Sequence, residues 1–197
     1  MLLPLLLGTA AFLLFFLYDV NSITGRFRLF RTFFLAGCIL LVLSTVLCLL
    51  PAWKMHTFGT WADMILLLLG ALSLAALIYT LFFALPFEKT YVTQDEGRKV
   101  YDRGVYALCR HPGVLFFFAA YLFFGLAAHP SPLLPCGMIF SVLNLGYVWF
   151  QDRVTFVKTF DDYEDYKKRV PFIIPTPVSI RQMCTTWRRT NRKEDSK

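Results

Sequence analysis

Residues 113–150 read GVLFFFAAYLFFGLAA-HPSP-LLPCGMIFSVLNLGYVWF and contain no Asp, Glu, Lys or Arg. Two apolar runs, 113–128 and 133–150, flank the segment 129–132, which a helix cannot run through because its prolines lack the amide hydrogen. A helix rises about 1.5 Å per residue, so the second run is long enough to cross roughly 30 Å of hydrocarbon, and the first is shorter. The stretch therefore predicts a helical hairpin in a membrane.

Three further apolar stretches precede this hairpin, and each is long enough to span a bilayer: 2–18, 32–50 and 64–85. The chain is 57% hydrophobic and only 17% charged, which is more apolar surface than a water-soluble domain of 197 residues carries. We therefore predict an all-α, polytopic membrane helix bundle with about five transmembrane helices. A C-terminal amphipathic interfacial helix, described below, completes the predicted fold.

The basic residues are distributed unevenly over the loops of a five-span arrangement. The first loop, the third loop and the tail from residue 153 onward hold all of the Lys and Arg residues except Lys54. Because cytoplasmic loops are enriched in Lys and Arg, the N-terminus is predicted outside and the C-terminus in the cytoplasm. We expect the bacterial cytoplasmic membrane, or the endoplasmic reticulum if the source is eukaryotic. The net charge of +7 follows from this asymmetry and does not indicate nucleic-acid binding.

Polar chemistry is confined to two predicted cytoplasmic segments, and the first is 87–112. It ends in GVYALCRHP at 104–112, where Pro112 suits the first turn of the next helix. Arg110 and His111 then lie beside the positive end of that helix, an arrangement that favours a carboxylate or phosphate. The alternative is that Arg110 is a snorkelling topology anchor and His111 an interfacial cap.

The second polar segment is 151–177. Phe156, Phe160 and Tyr163 recur at the i, i+4, i+7 spacing, which predicts an amphipathic helix with one aromatic face. The helix should end at Val170, because prolines at positions 171, 175 and 177 favour an extended path. Such a helix either lies on the membrane surface or folds back and closes a pocket with Arg110 and His111, and the sequence leaves both open.

Several classes of soluble enzyme are excluded by missing motifs. The chain has no G-x-G-x-x-G after a predicted strand, no Walker loop, and no H-x-x-x-H or C-x-x-C that could hold a metal. No serine occupies a nucleophile elbow. The five cysteines show no paired spacing, so reduced thiols are expected. A Rossmann-type methyltransferase or dehydrogenase is therefore excluded.

Two motifs on either side of the hairpin resemble those of one membrane enzyme family. The first consists of GVY at 104–106 and RHP at 110–112, and the second of YxxYKKRVP at 163–171 with Ile174-Pro175. That family is the isoprenylcysteine carboxyl methyltransferase family, to which the phospholipid methyltransferases are related. The resemblance covers about half of the chain. It identifies 87–177 as a methyltransferase-like core, consisting of the cytoplasmic loop, the transmembrane hairpin and the interfacial helix. The apolar stretches assign three N-terminal transmembrane helices to 1–86, and the remaining 178–197 is predicted to be a basic flexible tail.

The resemblance further implies an enzyme that uses S-adenosylmethionine in a pocket at the cytoplasmic interface, covered by the C-terminal segment. The methyl acceptor would be a lipid or lipophilic small molecule, carrying a carboxylate, a thiol or a phospholipid amine, that enters sideways from the bilayer. Arg110, His111 and Asp152 are the implied catalytic residues. The implied cofactor-binding residues are Tyr106, Ala107, Leu108, Cys109, Arg110, His111, Val114, Tyr121, Gln151 and Asp152.

The sequence also departs from the family pattern. The family reads R-H-P-x-Y-x-G, whereas Val114 and Phe116 stand at the Tyr and Gly positions. The family's Glu-Glu pair corresponds to Gln151 and Asp152, or with a shift of one residue to Asp152 and Arg153. The chain is thus either a divergent methyltransferase or the same scaffold without the chemistry, binding a lipid or partner. A third reading is an NADPH-dependent reductase of the sterol-reductase type.

Overall fold

The computed structural model describes residues 1–25, 27, 30, 32–54, 59–84 and 99–194, with side chains up to Trp187. Within these residues every regular element is helical, which confirms the predicted all-α class. The helices in chain order are α1 (Leu2–Thr24), α2 (Phe33–Lys54), α3 (Trp61–Ile78), α4 (Val105–Leu108), α5 (Pro112–Ala127), α6 (Leu133–Phe150), α7 (Phe156–Thr159), α8 (Tyr163–Arg169) and α9 (Pro177–Glu194). Single π-helical turns extend α3 over Tyr79–Phe83 and α6 over Gln151–Thr155.

Four helices are long and apolar enough to cross a membrane. They are α1, α2, α3 with its π-helical turn, and α6 with the turns that follow it to Thr159. The helix α5 is a shorter apolar helix of 16 residues. Large apolar side chains such as Leu68 on α3 are exposed by about 60%, as expected of lipid-facing surface. The chain is therefore a polytopic integral membrane protein.

The chain forms two compact units, and each combines two separate segments. The bundle unit contains residues 1–75 and 116–155, and the motif unit contains residues 76–115 and 156–197. The domains predicted from the sequence are continuous segments that end at residues 86 and 177. Each compact unit instead combines two separate segments.

Small residues allow close helix packing in the bundle unit. A Cβ atom at Gly37 of α2 would lie 2.6 Å from the Phe15 ring of α1, so a larger residue does not fit there. A hydrogen bond from the Ser44 hydroxyl to the Pro4 carbonyl, 2.7 Å long, also joins α1 to α2. These close approaches are typical of membrane helices, which associate through van der Waals packing and interhelical hydrogen bonds.

The predicted hairpin of 113–150 is confirmed. The helices α5 and α6 are separated by residues 128–132, where the Ser131 amide donates to the Ala128 carbonyl at 2.8 Å. Gly125 lies so close to the Leu134 backbone that a Cβ atom would approach it to 2.7 Å. The proline-containing turn and a small residue beside it therefore bring the two helices together.

The amphipathic helix predicted over 156–170 is present as two shorter helices, α7 and α8. They are interrupted at 160–162, where Asp162 is the N-cap residue of α8 and its carboxylate accepts the Val100 amide at 2.8 Å. The aromatic face packs inward, because Tyr163, Tyr166 and Val170 form a buried cluster. The predicted end at Val170 is confirmed, since Val170 is extended and precedes Pro171.

The helix α9 occupies the segment that the sequence assigns to a basic flexible tail. Pro177 does not prolong an extended path but begins this helix, where its missing amide hydrogen costs nothing. Thr176 and Ser179 exchange side chain-to-backbone hydrogen bonds at 2.9 and 3.2 Å, which satisfies amides at the helix start. The polar turn expected at 94–97 lies outside the described residues.

Candidate functional site

The segment GVYALCRHP is held at several points within the motif unit. Gly104 has φ 58° and ψ −130°, a conformation that glycine adopts without strain, and its amide donates to the Thr186 hydroxyl at 3.2 Å. The Tyr106 hydroxyl donates to the Thr80 carbonyl at 2.9 Å. The Tyr106 carbonyl in turn accepts the Tyr166 hydroxyl at 2.6 Å. This segment is therefore tied to α3, α8 and α9 at once.

Arg110 joins the first sequence motif to the second. Its Nη1 atom donates to the carbonyls of Lys167 and Val170 at 3.0 and 2.8 Å, and its amide donates to the Pro171 carbonyl at 2.9 Å. The last carbonyls of a helix lack intrahelical partners, so Arg110 stabilises the C-terminal end of α8. This contact is an additional role for Arg110, and contact with a cofactor stays a prediction.

His111 is buried between aromatic rings, with 7% of its surface exposed. Its imidazole stacks on Phe156, with ring centres 5.8 Å apart and planes 10° apart, and meets the edge of Phe172 at 5.2 Å. Its amide donates to the Phe172 carbonyl at 3.2 Å. The imidazole is therefore held in one orientation by packing on two sides.

The remaining predicted cofactor residues of this segment differ in exposure. Ala107 and Cys109 are buried, whereas Leu108 and Val114 are half-buried. Burial raises the pKa of the Cys109 thiol to about 11, because an apolar environment disfavours the thiolate. Burial also raises the pKa of the Tyr166 hydroxyl above its ordinary value, so this hydroxyl stays a donor to Tyr106. Neither group is prepared to act as a nucleophile.

A pocket of about 220 Å³ opens in the motif unit between the two motifs and α9. Its lining carries positive, negative and neutral polar groups. The lining residues are Asp102, Arg103, Ala107, Arg169, Val170, Gln182 and Thr186. One of these arginines already forms an ion pair, because Arg169 Nη1 donates to Asp102 Oδ2 at 2.9 Å.

Sequence reasoning predicted Ala107 of this pocket and missed its charged lining. Asp102 and Arg103 directly precede the GVY motif, and that adjacency is the signal that identifies them. Gln182 and Thr186 were not predicted because they lie in 178–197, which the sequence assigns to a flexible tail. Of the ten cofactor-binding residues that the resemblance implies, Ala107 alone lines this pocket, so its use by a cofactor stays a prediction.

Three predicted cofactor residues belong to the bundle unit, and the other seven belong to the motif unit. Within the bundle unit, Tyr121 is buried and its hydroxyl lies 2.6 Å from the Thr45 hydroxyl. Asp152 is 3% exposed, so it is a buried carboxylate and not a solvated one. The cofactor roles of Tyr121, Gln151 and Asp152 stay predictions.

Gln151 connects to a charged residue that sequence reasoning missed. Its Nε2 atom donates to the Tyr147 hydroxyl at 2.9 Å, and the side chains of both residues hydrogen-bond with Asp19 of α1. A lone carboxylate directly after the first apolar run, 2–18, is the sequence signal for this residue. All five cysteines are free, as predicted, and the described residues contain no group of three or more side chains that could hold a metal ion.

Comparisons of the chain with protein-family models, with curated proteins and with solved structures found no match. The resemblance to the isoprenylcysteine carboxyl methyltransferase family therefore stays a prediction from the two motifs and their order around the hairpin.

Proposed function

We propose that this protein is a membrane-embedded methyltransferase that uses S-adenosylmethionine to methylate a lipophilic acceptor. The observation that carries the proposal is the joining of the two motifs. Segments more than 50 residues apart in sequence meet through Arg110 at the end of α8 and through the hydrogen bond from Tyr166 to Tyr106. These are the residues on which the family resemblance was based, so sequence and contacts support the same architecture.

The pocket in the motif unit fits the amino-acid end of the cofactor. That end carries an ammonium and a carboxylate, and the lining offers Asp102 for the first and Arg103 or Arg169 for the second. Pockets that hold a whole drug-sized ligand measure roughly 300–1,000 Å³. With a volume of about 220 Å³, this pocket accounts for the methionyl part of the cofactor.

Methyl transfer from S-adenosylmethionine requires little acid–base catalysis by the protein. A bound S-adenosylmethionine supplies a methyl group that its sulfonium already activates. The chain's own residues need to orient the acceptor and exclude water, and strong acids or bases are not required. The buried imidazole of His111 and the high pKa of Cys109 are consistent with a site of this kind.

The acceptor is proposed to be lipophilic because the chain is an integral membrane protein. A carboxylate, a thiol and a phospholipid amine all suit attack on a methyl sulfonium. The orientation that accompanies the proposal puts the N-terminus outside and the C-terminus in the cytoplasm, where the cofactor is made. The charge asymmetry of the loops supports this orientation.

Methyl transfer tests the proposal directly. The full chain in detergent, with tritiated S-adenosylmethionine and a mixed lipid extract, should transfer label into the organic phase. Arg103→Ala should lower this rate about tenfold, the typical effect of losing one hydrogen bond between charged groups. Arg181→Ala, which removes an exposed arginine of α9 outside the pocket, is the matched control and should leave the rate unchanged.

A second candidate is a non-catalytic scaffold of the same architecture that binds a lipid or a partner. It is favoured by the structural use of Arg110 and His111, which contact the backbone at the end of α8 and aromatic rings. In that case the chain would bind no S-adenosylmethionine, and no label would reach any lipid fraction.

A further inference from the structure

Asp19 is a buried carboxylate in a membrane-spanning helix. It lies on α1 with 4% of its surface exposed, among apolar and aromatic neighbours. A charged side chain at such a position costs several kcal/mol unless a partner compensates it. Buried ionisable residues of membrane helices are rare, and they commonly mark functional sites.

Two side chains of α6 and its π-helical turn contact the Asp19 carboxylate. Tyr147 and Gln151 both hydrogen-bond with it, and Gln151 also donates to the Tyr147 hydroxyl at 2.9 Å. The Oδ2 atom is buried and has no hydrogen-bond partner among the residues that the structure describes. A buried acceptor without a partner costs about 1–3 kcal/mol, and more when it is charged. Within the described part of the chain, the Asp19 carboxylate therefore has one unpaired acceptor, Oδ2, beside the hydrogen-bonded side chains of Tyr147 and Gln151.

The surroundings of Asp19 favour an organic cation over a metal ion. Phe15 lies one turn before Asp19 on α1, and its ring is 5.9 Å from that of Tyr147 and 5.5 Å from that of Phe34. Aromatic faces attract organic cations. A metal ion favours several anionic ligands, and the described residues contain no group of three or more His, Cys, Asp or Glu side chains that could hold one.

We propose that Asp19, Tyr147 and Gln151 form a binding site for a protonated primary amine. One N–H of the ammonium donates to Asp19 Oδ2, its charge balances the carboxylate, and the aromatic rings flank it. Tyr147 and Gln151 are half-buried, so part of each of these side chains is exposed. The amine is either a lipid headgroup or a water-soluble amine. The proposal does not depend on methyl transfer.

Calorimetry with a defined probe tests this site. The full chain in a neutral detergent should bind octylammonium saturably and should not bind 1-octanol, which has the same chain length but no charge. Asp19→Asn should weaken octylammonium binding at least tenfold. Asp161→Asn removes an exposed carboxylate and should leave the affinity unchanged. Equal affinity in the wild type and Asp19→Asn, or equal binding of 1-octanol, would overturn the proposal.

Two further arms keep the test decisive if Asp19→Asn does not fold. A photoreactive alkylammonium should label wild-type peptides within 15–22 or 147–152, and labelling confined to other peptides contradicts the site. Displacement of octylammonium by ethanolamine indicates a water-soluble amine, and displacement by phosphatidylethanolamine alone indicates a lipid headgroup. Displacement by neither contradicts the proposal.

An arginine of the same chain is the competing source of positive charge. Arg26, Arg28 and Arg31 follow α1 in sequence and lie outside the described residues. Changing all three to Gln should leave the octylammonium affinity unchanged if Asp19 binds an external amine. A tenfold gain in affinity would show that a loop arginine occupies the carboxylate, which would overturn the proposal.

Discussion

Arg110 stabilises the C-terminal end of α8 through two backbone carbonyls. The sequence marks it as a cation before an apolar helix, which suggests a ligand for an anion or a topology anchor. The structure shows that its Nη1 atom binds the carbonyls of Lys167 and Val170. These partners are more than 50 residues away, so no local pattern predicts the contact. The same limit applies to Asp19, whose partners Tyr147 and Gln151 lie on another helix.

Replacing Arg110 should loosen the end of α8. Arg110→Ala removes two hydrogen bonds to backbone carbonyls, and we expect the motif unit to lose about 1.5–3 kcal/mol of stability. Arg110→Lys should recover part of this, because a single ammonium replaces a planar fork incompletely. Amide hydrogen exchange over 163–170 measures the effect, with Arg181→Ala as the control. Unchanged protection in Arg110→Ala would remove Arg110 from this capping role.

Cys109 and Cys184 should differ sharply in reactivity. Cys109 is fully buried and its thiol has a pKa of about 11, whereas Cys184 on α9 is exposed. Because burial raises the pKa, the reactive thiolate is scarce at pH 8 and increases only as the pH approaches 11. Maleimide at pH 8 should therefore modify Cys184 much faster than Cys109, as read by peptide mass spectrometry. Equal rates would mean that the motif unit opens readily.

Among the helices, the apolar ones were predictable and α9 was not. An uncharged run such as 133–150 is stable in a membrane as a helix, because a helix hydrogen-bonds its backbone groups within the segment. The helix α9 is polar, follows two prolines and begins with a third, so its sequence resembles a tail. Its order comes from tertiary contacts, including the Thr186 hydroxyl on Gly104 and the Trp187 ring 6.2 Å from Tyr79.

Gly104 tests whether the turn before α4 matters to the motif unit. Gly104→Ala places a Cβ atom on a residue with φ 58° and ψ −130°, which should cost about 1–3 kcal/mol through backbone strain. The added atom would lie 3.7 Å from the Trp187 ring, an ordinary contact, so crowding is not the cause. Limited proteolysis of α9 reports the loss. Gly146→Ala, at an open position on α6, should leave the cleavage rate unchanged.

The whole molecule combines a lipid-exposed helical bundle unit with a motif unit that carries the family-like segments. Hydropathy and charge predicted the membrane class and an orientation. The family resemblance implied that the two motif segments meet, whereas the residue pattern of the second segment left this open. The charged pocket lining was not predictable, because it depends on α9 lying against α4, and the sequence contains no pattern that specifies this packing.

Orientation is testable with single cysteines on a cysteine-free background. A cysteine at position 54 and the native Cys184 should be labelled from opposite sides of sealed vesicles by a membrane-impermeant maleimide. Position 54 holds the single basic residue on the predicted outer face, whereas Cys184 belongs to the basic C-terminal region. Labelling of both positions from the same side would contradict the five-span orientation.

Cofactor binding tests the central claim most directly. Isothermal calorimetry on the detergent-purified full chain should show saturable, one-to-one binding of S-adenosylhomocysteine, the demethylated form of the cofactor. Arg103→Ala should weaken it about tenfold, and NADPH should give no binding heat. Binding of NADPH in place of S-adenosylhomocysteine would support a reductase. If neither ligand binds to folded protein, the methyltransferase proposal is contradicted.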